Sequence, residues 1–196
     1  MGIKIGVLAL QGDVSEHILA FERALLSAGL KTADSSVFEL RNSDEIPVCD
    51  AIAIPGGEST TISRLIDKNG MRDALVNFKG GFFATCAGMV ILSSEADDKR
   101  VKPLGIIDIS VDRNAFGRQR DSFQMPLEIR GLSAPYDAVF IRAPVAVSAG
   151  KDVFVLCKLD SGIVALTQGK HMVLSFHPEL TGDTRLHELF LKNLVE

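Results

Sequence analysis

Three stretches of this chain carry residue types that do covalent chemistry. The first is Gly81-Phe82-Phe83-Ala84-Thr85-Cys86-Ala87-Gly88-Met89, where an apolar run gives way to small residues and then to a helical pattern. Strand, tight turn with the nucleophile, then helix is the layout of a nucleophile elbow. A thiol at a helix start faces unpaired backbone N–H groups, which favour the reactive thiolate. The second stretch, Phe176-His177-Pro178-Glu179, lies far downstream. An imidazole there can take the thiol proton and later pass it to a leaving amine. Glu179, two positions on, projects to the same side of an extended chain. From there its carboxylate can fix the ring tautomer and stabilise the cation. The third stretch is Pro55-Gly56-Gly57-Glu58-Ser59-Thr60-Thr61. Its glycines let backbone N–H groups turn toward a nearby site. The Gly57 and Ala87 N–H groups together would make an oxyanion hole. The three stretches describe a cysteine hydrolase with a Cys–His–Glu relay.

Each stretch has a plainer alternative. His177 and Glu179 could ligate a metal, although no third ligand at helical spacing accompanies them, so no metal is expected. The glycine pair lacks the spacing and lysine of a P-loop, and could simply be a turn before a Ser59 or Thr60 helix cap. Cys49 and Cys157 read as inert core thiols. His17, His171 and His187 read as surface or cap residues. Arg113 and Arg142 stand in polar settings, where the default for arginine is a solvated charge. An amino-acid substrate, however, has a carboxylate that suits a guanidinium and an ammonium that suits a carboxylate. Arg113, Arg142 and Glu58 could supply those complements, and an amide for Cys86 would make the substrate glutamine-like.

The elements that must position these residues follow from periodicity. Lys4 to Leu10 is a short, nearly continuous apolar run, the mark of a strand buried on both faces. Val14, Ile18, Phe21 and Leu25 form one helical face closed by Gly29, with Asp13 and Glu16 spaced as a capping pair. A strand is expected over 31–35, and another over 51–55 leading into the glycine pair. Helix follows from Ser59 to Phe78, broken near Asn69-Gly70, and then comes the elbow with its helix to Leu92. From 106 to 168 the pattern turns to short β-rich runs at 106–111, 127–129, 139–141, 153–158 and 163–167. A strand at 171–176 and a final helix with Leu186, Leu189, Phe190 and Leu194 on its face complete the chain. These elements predict one α/β domain spanning 1–196, doubly wound, with three layers and a mixed, mostly parallel central sheet.

Composition limits the partners. The 196 residues are 46% hydrophobic with a net charge of −4, an ordinary globular balance. There is no Lys/Arg stripe, no tryptophan and one tyrosine, so nucleic acid is not an expected partner. The longest apolar stretch falls short of a bilayer span, so no membrane is expected either. Met1-Gly2-Ile3-Lys4 enters a strand at once, without the pattern of a secretory leader, and Gly6 does not fit a myristoylation motif. Three widely spaced cysteines make neither a disulfide framework nor a zinc knuckle, and a cytoplasmic home is expected.

The words Pro55-Gly56-Gly57-Glu58-Ser59, Thr85-Cys86-Ala87-Gly88 and Ser175-Phe176-His177-Pro178-Glu179 resemble those of class I, triad-type glutamine amidotransferases. The flanking words narrow the likeness: Leu10-Gln11-Gly12, Arg113-Asn114-x-Phe116-Gly117-Arg118-Gln119, Asp121-Ser122-Phe123 and Phe140-Ile141-Arg142-Ala143-Pro144. They are similar to the glutaminase subunits of pyridoxal 5′-phosphate synthases, over essentially the whole chain. The resemblance implies hydrolysis of L-glutamine through a thioester on Cys86, with His177 and Glu179 completing the triad. It implies glutamine contacts from Gly57, Glu58, Ser59, Arg113, Ile141 and Arg142, the last two partly through backbone. It also implies ammonia transfer to a separate synthase subunit, a surface around Gln11 and the Gly12-Asp13 loop facing that partner, and no cofactor in this chain. Ala84 departs from the family pattern, which has glycine there; the turn is expected to survive. Two rivals stay open: another cysteine hydrolase acting on γ-glutamyl or peptide bonds, and a regulatory subunit with an idle site.

Overall fold

The computed structural model describes residues 2–113, 115–116 and 122–195, so parts of the 113–121 motif quoted above lie outside the described residues. In chain order the elements are β1 (Lys4–Leu8), α1 (Val14–Ser27), β2 (Ser36–Leu40), β3 (Ala51–Ile54), α2 (Ser59–Lys68), α3 (Arg72–Asn77), β4 (Gly81–Thr85), α4 (Ala87–Leu92) and β5 (Ser93–Ala96). There follow β6 (Ile107–Asp112), β7 (Ser122–Leu127), β8 (Tyr136–Ile141), β9 (Val145–Ala149), β10 (Phe154–Leu159), β11 (Gly162–Gln168), β12 (His171–Leu174) and α5 (Arg185–Val195). Short 3₁₀ turns cover Ser43–Val48 and Pro178–Leu180.

The main sheet runs β2-β1-β3-β4-β12-β11-β9-β6-β5, with β10 on β11, while β7 and β8 form a separate pair. β2, β1, β3, β4 and β12 are mutually parallel. β11 turns antiparallel to β12, and β9 and β6 continue the mixed half. This is an α/β fold with a mixed, mostly parallel central sheet. Strand alternation divides its core. Ala51, Ala53 and Phe83 pack with Phe21, Leu25, Phe190 and Leu194 from α1 and α5. Ile52, Ile54, Phe82 and Ala84 pack with Ile62, Ile66, Met89 and Val90 from α2 and α4. Each strand therefore serves two helical layers, which explains why β1, β3 and β4 read as continuous apolar runs. The functional loops emerge at the carboxyl ends of these parallel strands, where open α/β sheets form crevices.

Some local expectations need correcting. The strand expected at 31–35 forms five residues later, as β2. Ser35 Oγ instead takes the Ile3 and Thr32 N–H groups and donates to Leu30 O. Hydroxyl-to-backbone bonds of this kind compete with a ladder and make a turn. Asp13 stands at the α1 N-cap position but makes no side-chain cap there, and Glu16 accepts from Ser15 instead. The α2 cap is Glu58, which accepts from Thr61 N, and neither Ser59 nor Thr60. His17 and His187 are fully buried rather than surface residues. β5 and β9 were not apparent in the sequence. Among the described residues no helix is long and apolar enough to cross a membrane.

Candidate active site

The elbow forms as the sequence predicts. β4 ends at Thr85, Cys86 turns with φ 48° and ψ −108°, and α4 begins at Ala87. A non-glycine residue in that region carries strain of order 1–3 kcal/mol, which persists only where neighbours hold it in place. Cys86 N donates to Leu174 O at 2.9 Å, tying the turn to β12. The turn accommodates Ala84. A Cβ on Gly88 would lie 2.4 Å from Ile54 O and 3.1 Å from Ala84 Cβ, so the glycine makes room for both.

β12 delivers the second group. After Leu174 the chain runs through Ser175 and Phe176 into His177, whose N–H donates to Val139 O at 2.8 Å. His177 Nδ1 lies 2.7 Å from Glu179 Oε1, and the Glu179 side chain is wholly shielded from solvent. Gly56 packs against both halves of the relay. A Cβ there would sit 2.4 Å from His177 Cε1 and 3.3 Å from Cys86 Cβ, a space only glycine leaves open. Burial disfavours charge on His177, but hydrogen bonds with Asp13, Cys86 and Glu179 and the Glu179 charge outweigh it, raising the ring to about 12. Burial likewise opposes charge on Glu179, yet His17 and His177 hold its carboxyl well below the usual range. Burial, with the nearby Asp50 and Glu45 charges, pushes Cys49 up to about 11, and burial pushes Cys157 in the same direction. Both shifts disfavour the nucleophilic thiolate, and Cys86 is the thiol that hydrogen-bonds the His177 imidazole.

These groups open on a cavity of about 440 Å³ lined by Gly57, Glu58, Ser59, Cys86, Ala87, Arg113, Ile141, Arg142 and His177, with Gln11 and Asp13 beside them. Every sequence-predicted site residue thus lines one cavity except Glu179, which sits behind His177. Cys86 Sγ points toward Ile141 O at 3.8 Å. Arg142 adopts φ 41°, the other positive value among the described non-glycine residues. Arg113 Nη2 donates to Glu58 Oε1 at 2.9 Å, and Nη1 pairs with Asp98. Glu58 is held down to about 2: burial works against ionisation, but hydrogen bonds from Thr60 and Thr61 exceed it. Gln11 Oε1 accepts the Glu58 N–H at 2.8 Å, fixing the loop that carries Gly57.

The sequence reading missed three residues. Asp13 Oδ2 lies 3.4 Å from His177 Nδ1, and Asp13, His177 and Glu179 have ligand atoms within 4.8 Å of one another. The 2.7 Å Nδ1···Oε1 separation is a hydrogen-bond length, and a ring nitrogen carrying that proton has no lone pair for a metal. Thr85 Oγ1 accepts from Gly56 N at 3.1 Å, and His17 Nε2 lies 3.1 Å from the same hydroxyl. One signal was available: His17 falls four residues before Phe21, on the apolar face of α1.

The chain matches the SNO glutamine amidotransferase family over residues 7–196. The pyridoxal 5′-phosphate synthase subunit PdxT of Methanosphaerula palustris is 60% identical over 194 residues, covering 99% of this chain and 98% of its own. The protein of the same name from Methanoregula boonei is 58% identical, covering 98% and 99%. A crystal structure of a glutamine amidotransferase superposes with a TM-score of 0.83 at 41% identity, covering 98% and 99% of the two chains.

Proposed function

The chain belongs to the SNO glutamine amidotransferase family, and from that premise we propose that it is the glutaminase subunit of a pyridoxal 5′-phosphate synthase. It hydrolyses L-glutamine to L-glutamate and ammonia and supplies the ammonia to the synthase subunit. We assign this activity to one domain comprising residues 1–196. The observation that carries the assignment is the convergence of Cys86, His177 and the Gly57 loop on one cavity, with Glu179 hydrogen-bonded behind the imidazole.

The chemistry follows from that arrangement. Cys86 Sγ attacks the side-chain amide carbon of glutamine as a thiolate whose proton His177 Nε2 already holds, in keeping with the raised ring. The carbonyl oxygen becomes an oxyanion, held by the Gly57 and Ala87 N–H groups. Ala87 is the first residue of α4, so its N–H is not consumed by the helix ladder. The intermediate collapses as His177 returns the proton to the departing nitrogen, leaving ammonia and a glutamyl thioester on Cys86. Water, deprotonated by His177, then attacks the thioester; glutamate leaves and the thiol is restored. Glu179 holds the ring with Nδ1–H toward itself, which keeps Nε2 available to the sulfur. At the cavity mouth Arg113 and Glu58 already form a cation–anion pair, into which the substrate carboxylate and ammonium insert as complementary partners. Ser59 and the Ile141-Arg142 backbone complete the glutamine contacts.

Gln11 and the Gly12-Asp13 loop lie beside the Gly56-Gly57 segment, and we assign them to the surface that meets the synthase. Contact there adjusts the Gly57 peptide, so glutamine is not wasted by the free subunit. The three free thiols suit a cytoplasmic setting. The test is a glutamate-release assay on wild type and Cys86→Ala, each with and without the synthase subunit. Activity should require Cys86 and rise when the synthase is present. Release that survives in Cys86→Ala would refute the assignment.

A further inference from the structure

We propose that His17 and Thr85 are positioning residues of the glutaminase reaction, a buried pair that joins the Glu179 carboxylate and the Gly56 peptide into one hydrogen-bonded unit. The inference rests on the glutaminase reading above and extends it to two side chains that never reach the substrate cavity.

Thr85 Oγ1 is the hub. It accepts the Gly56 N–H at 3.1 Å and donates to Glu179 Oε1 at 3.5 Å. A hydroxyl has one proton and two acceptor lone pairs, so one lone pair remains. His17 Nε2 lies 3.1 Å away and fills it as an N–H donor. With Nε2 as the donor, Nδ1 of the ring is left as a lone-pair acceptor. Nδ1 is buried and has no hydrogen-bond partner among the described residues. A buried lone pair without a partner is tolerated better than a buried N–H donor without one, so the same tautomer is favoured at both ends of the ring.

The contacts converge on one oxygen. His177 Nδ1, Thr85 Oγ1 and His17 Nε2 lie 2.7, 3.5 and 3.5 Å from Glu179 Oε1, whereas Oε2 has no hydrogen-bond partner among the described residues. The carboxylate is therefore oriented through Oε1 alone, and removing Thr85 or His17 frees it to rotate away from the imidazole. Among the described residues, the rings packed against His17 offer it no hydrogen bond. The His187 ring of α5 lies 6.5 Å away centroid to centroid, and Phe83 of β4 lies 6.2 Å away. Burial lowers His187 to about 3, so it is neutral.

The geometry ties together parts of the catalytic apparatus that are distant in sequence. Thr85 directly precedes the nucleophile, Gly56 directly precedes the oxyanion-hole glycine, and Glu179 orients the base. A buried histidine serving only to fill space would be replaceable by leucine with a loss of stability alone. A positioning pair predicts a kinetic loss as well, confined to turnover.

The test measures kcat and KM for glutamine in the assembled synthase complex, with active sites counted by an electrophilic glutamine analogue. The variants are His17→Leu, His17→Gln, Thr85→Val, the double variant His17→Leu/Thr85→Val, and Cys86→Ala as the control. Glutamine places its amide nitrogen where Nε2 stood, and valine keeps the shape of threonine. His17→Leu and Thr85→Val should lower kcat by roughly 10- to 100-fold, with KM changed by less than about twofold, as expected for loss of transition-state positioning. His17→Gln should recover kcat to within about threefold of wild type, and the double variant should be no slower than the slower single variant. Wild-type kcat in Thr85→Val, multiplicative losses in the double variant, or a Gln variant as slow as Leu would each overturn the proposal. If His17→Leu does not fold, Thr85→Val decides alone. If Cys86→Ala is inactive while Thr85→Val turns over normally, the glutaminase reading stands and this inference falls; if Cys86→Ala is active, both fall.

Discussion

Replacing Glu179 by glutamine keeps the shape of the relay and removes its charge. The wild-type carboxylate is wholly shielded, with Oε1 2.7 Å from His177 Nδ1, so its attraction for the imidazolium is little screened. Two unit charges about 4 Å apart, at an effective dielectric of about 20, attract by about 4 kcal/mol. Each ~1.4 kcal/mol is a factor of ten in rate, so losing that attraction in the transition state costs on the order of 10³-fold in kcat. A flipped amide would add to this, because its NH₂ would drive the ring proton to Nε2 and leave no base facing Cys86. Asp13 Oδ2, at 3.4 Å from Nδ1, cannot compensate fully, since its side chain is 39% exposed. The variant should also reveal a titration hidden in wild type. His177 is raised to about 12, so its cation persists through the accessible alkaline range. Asp13 and Cys86 still raise the ring in the variant, but the contributions of Glu179 are lost, so the ring titrates lower and proton donation to the leaving nitrogen fails at a lower pH than in wild type. Glutamate release in the synthase complex, followed from acid to alkaline pH, should show a large fall in kcat and a new alkaline limb. A kcat within about tenfold of wild type, or an unchanged pH profile, would refute the relay.

Three further outcomes follow from the geometry. Gly56→Ala places a methyl 2.4 Å from His177 Cε1, and the displacement needed should cost roughly 10²-fold in kcat, measured per titrated active site. Arg113→Ala removes the guanidinium that pairs with Glu58 in the cavity, while Asp98 keeps its ion pair with Arg100. KM for glutamine should rise by roughly 10- to 100-fold, matching the ~1.5–3 kcal/mol of a charged hydrogen bond, with kcat less affected in steady-state assays. Phe83→Ala removes a ring stacked on His187 and packed edge-on against Phe21. It should destabilise the fold by ~3–5 kcal/mol in urea unfolding.

Much of the site was legible because covalent chemistry leaves compact local marks. The elbow, the His-Pro-Glu word and the glycine pair each lie within a few residues, and the parallel strands before them read as apolar runs. Their convergence depends on β3, β4 and β12 lying side by side, which no local pattern shows. Other features escaped for physical reasons. His17 is polar by type but sits on the buried stripe of α1, and its partners Thr85 and Glu179 are distant in sequence. Asp13 looked like a helix cap because its spacing to Glu16 fits one, whereas His177 competes for its carboxylate. The strand misplaced by five residues shows the same limit: Lys31-Thr32-Ala33-Asp34-Ser35 follows the α1 helix where a strand is expected, but Ser35 hydroxyl bonds make it a turn. β9 is short and half exposed and pairs with β11 and β6 from distant parts of the chain, so its own residues announce little.

The central claim is that the Cys86 sulfur forms a thioester with the glutamyl group of glutamine. Acid quenching of the synthase complex during turnover, followed by mass analysis of the Cys86 peptide, tests it directly. The account predicts a glutamyl adduct on Cys86 in wild type and none in His177→Ala. An adduct on another residue, or full turnover by Cys86→Ala, would contradict it.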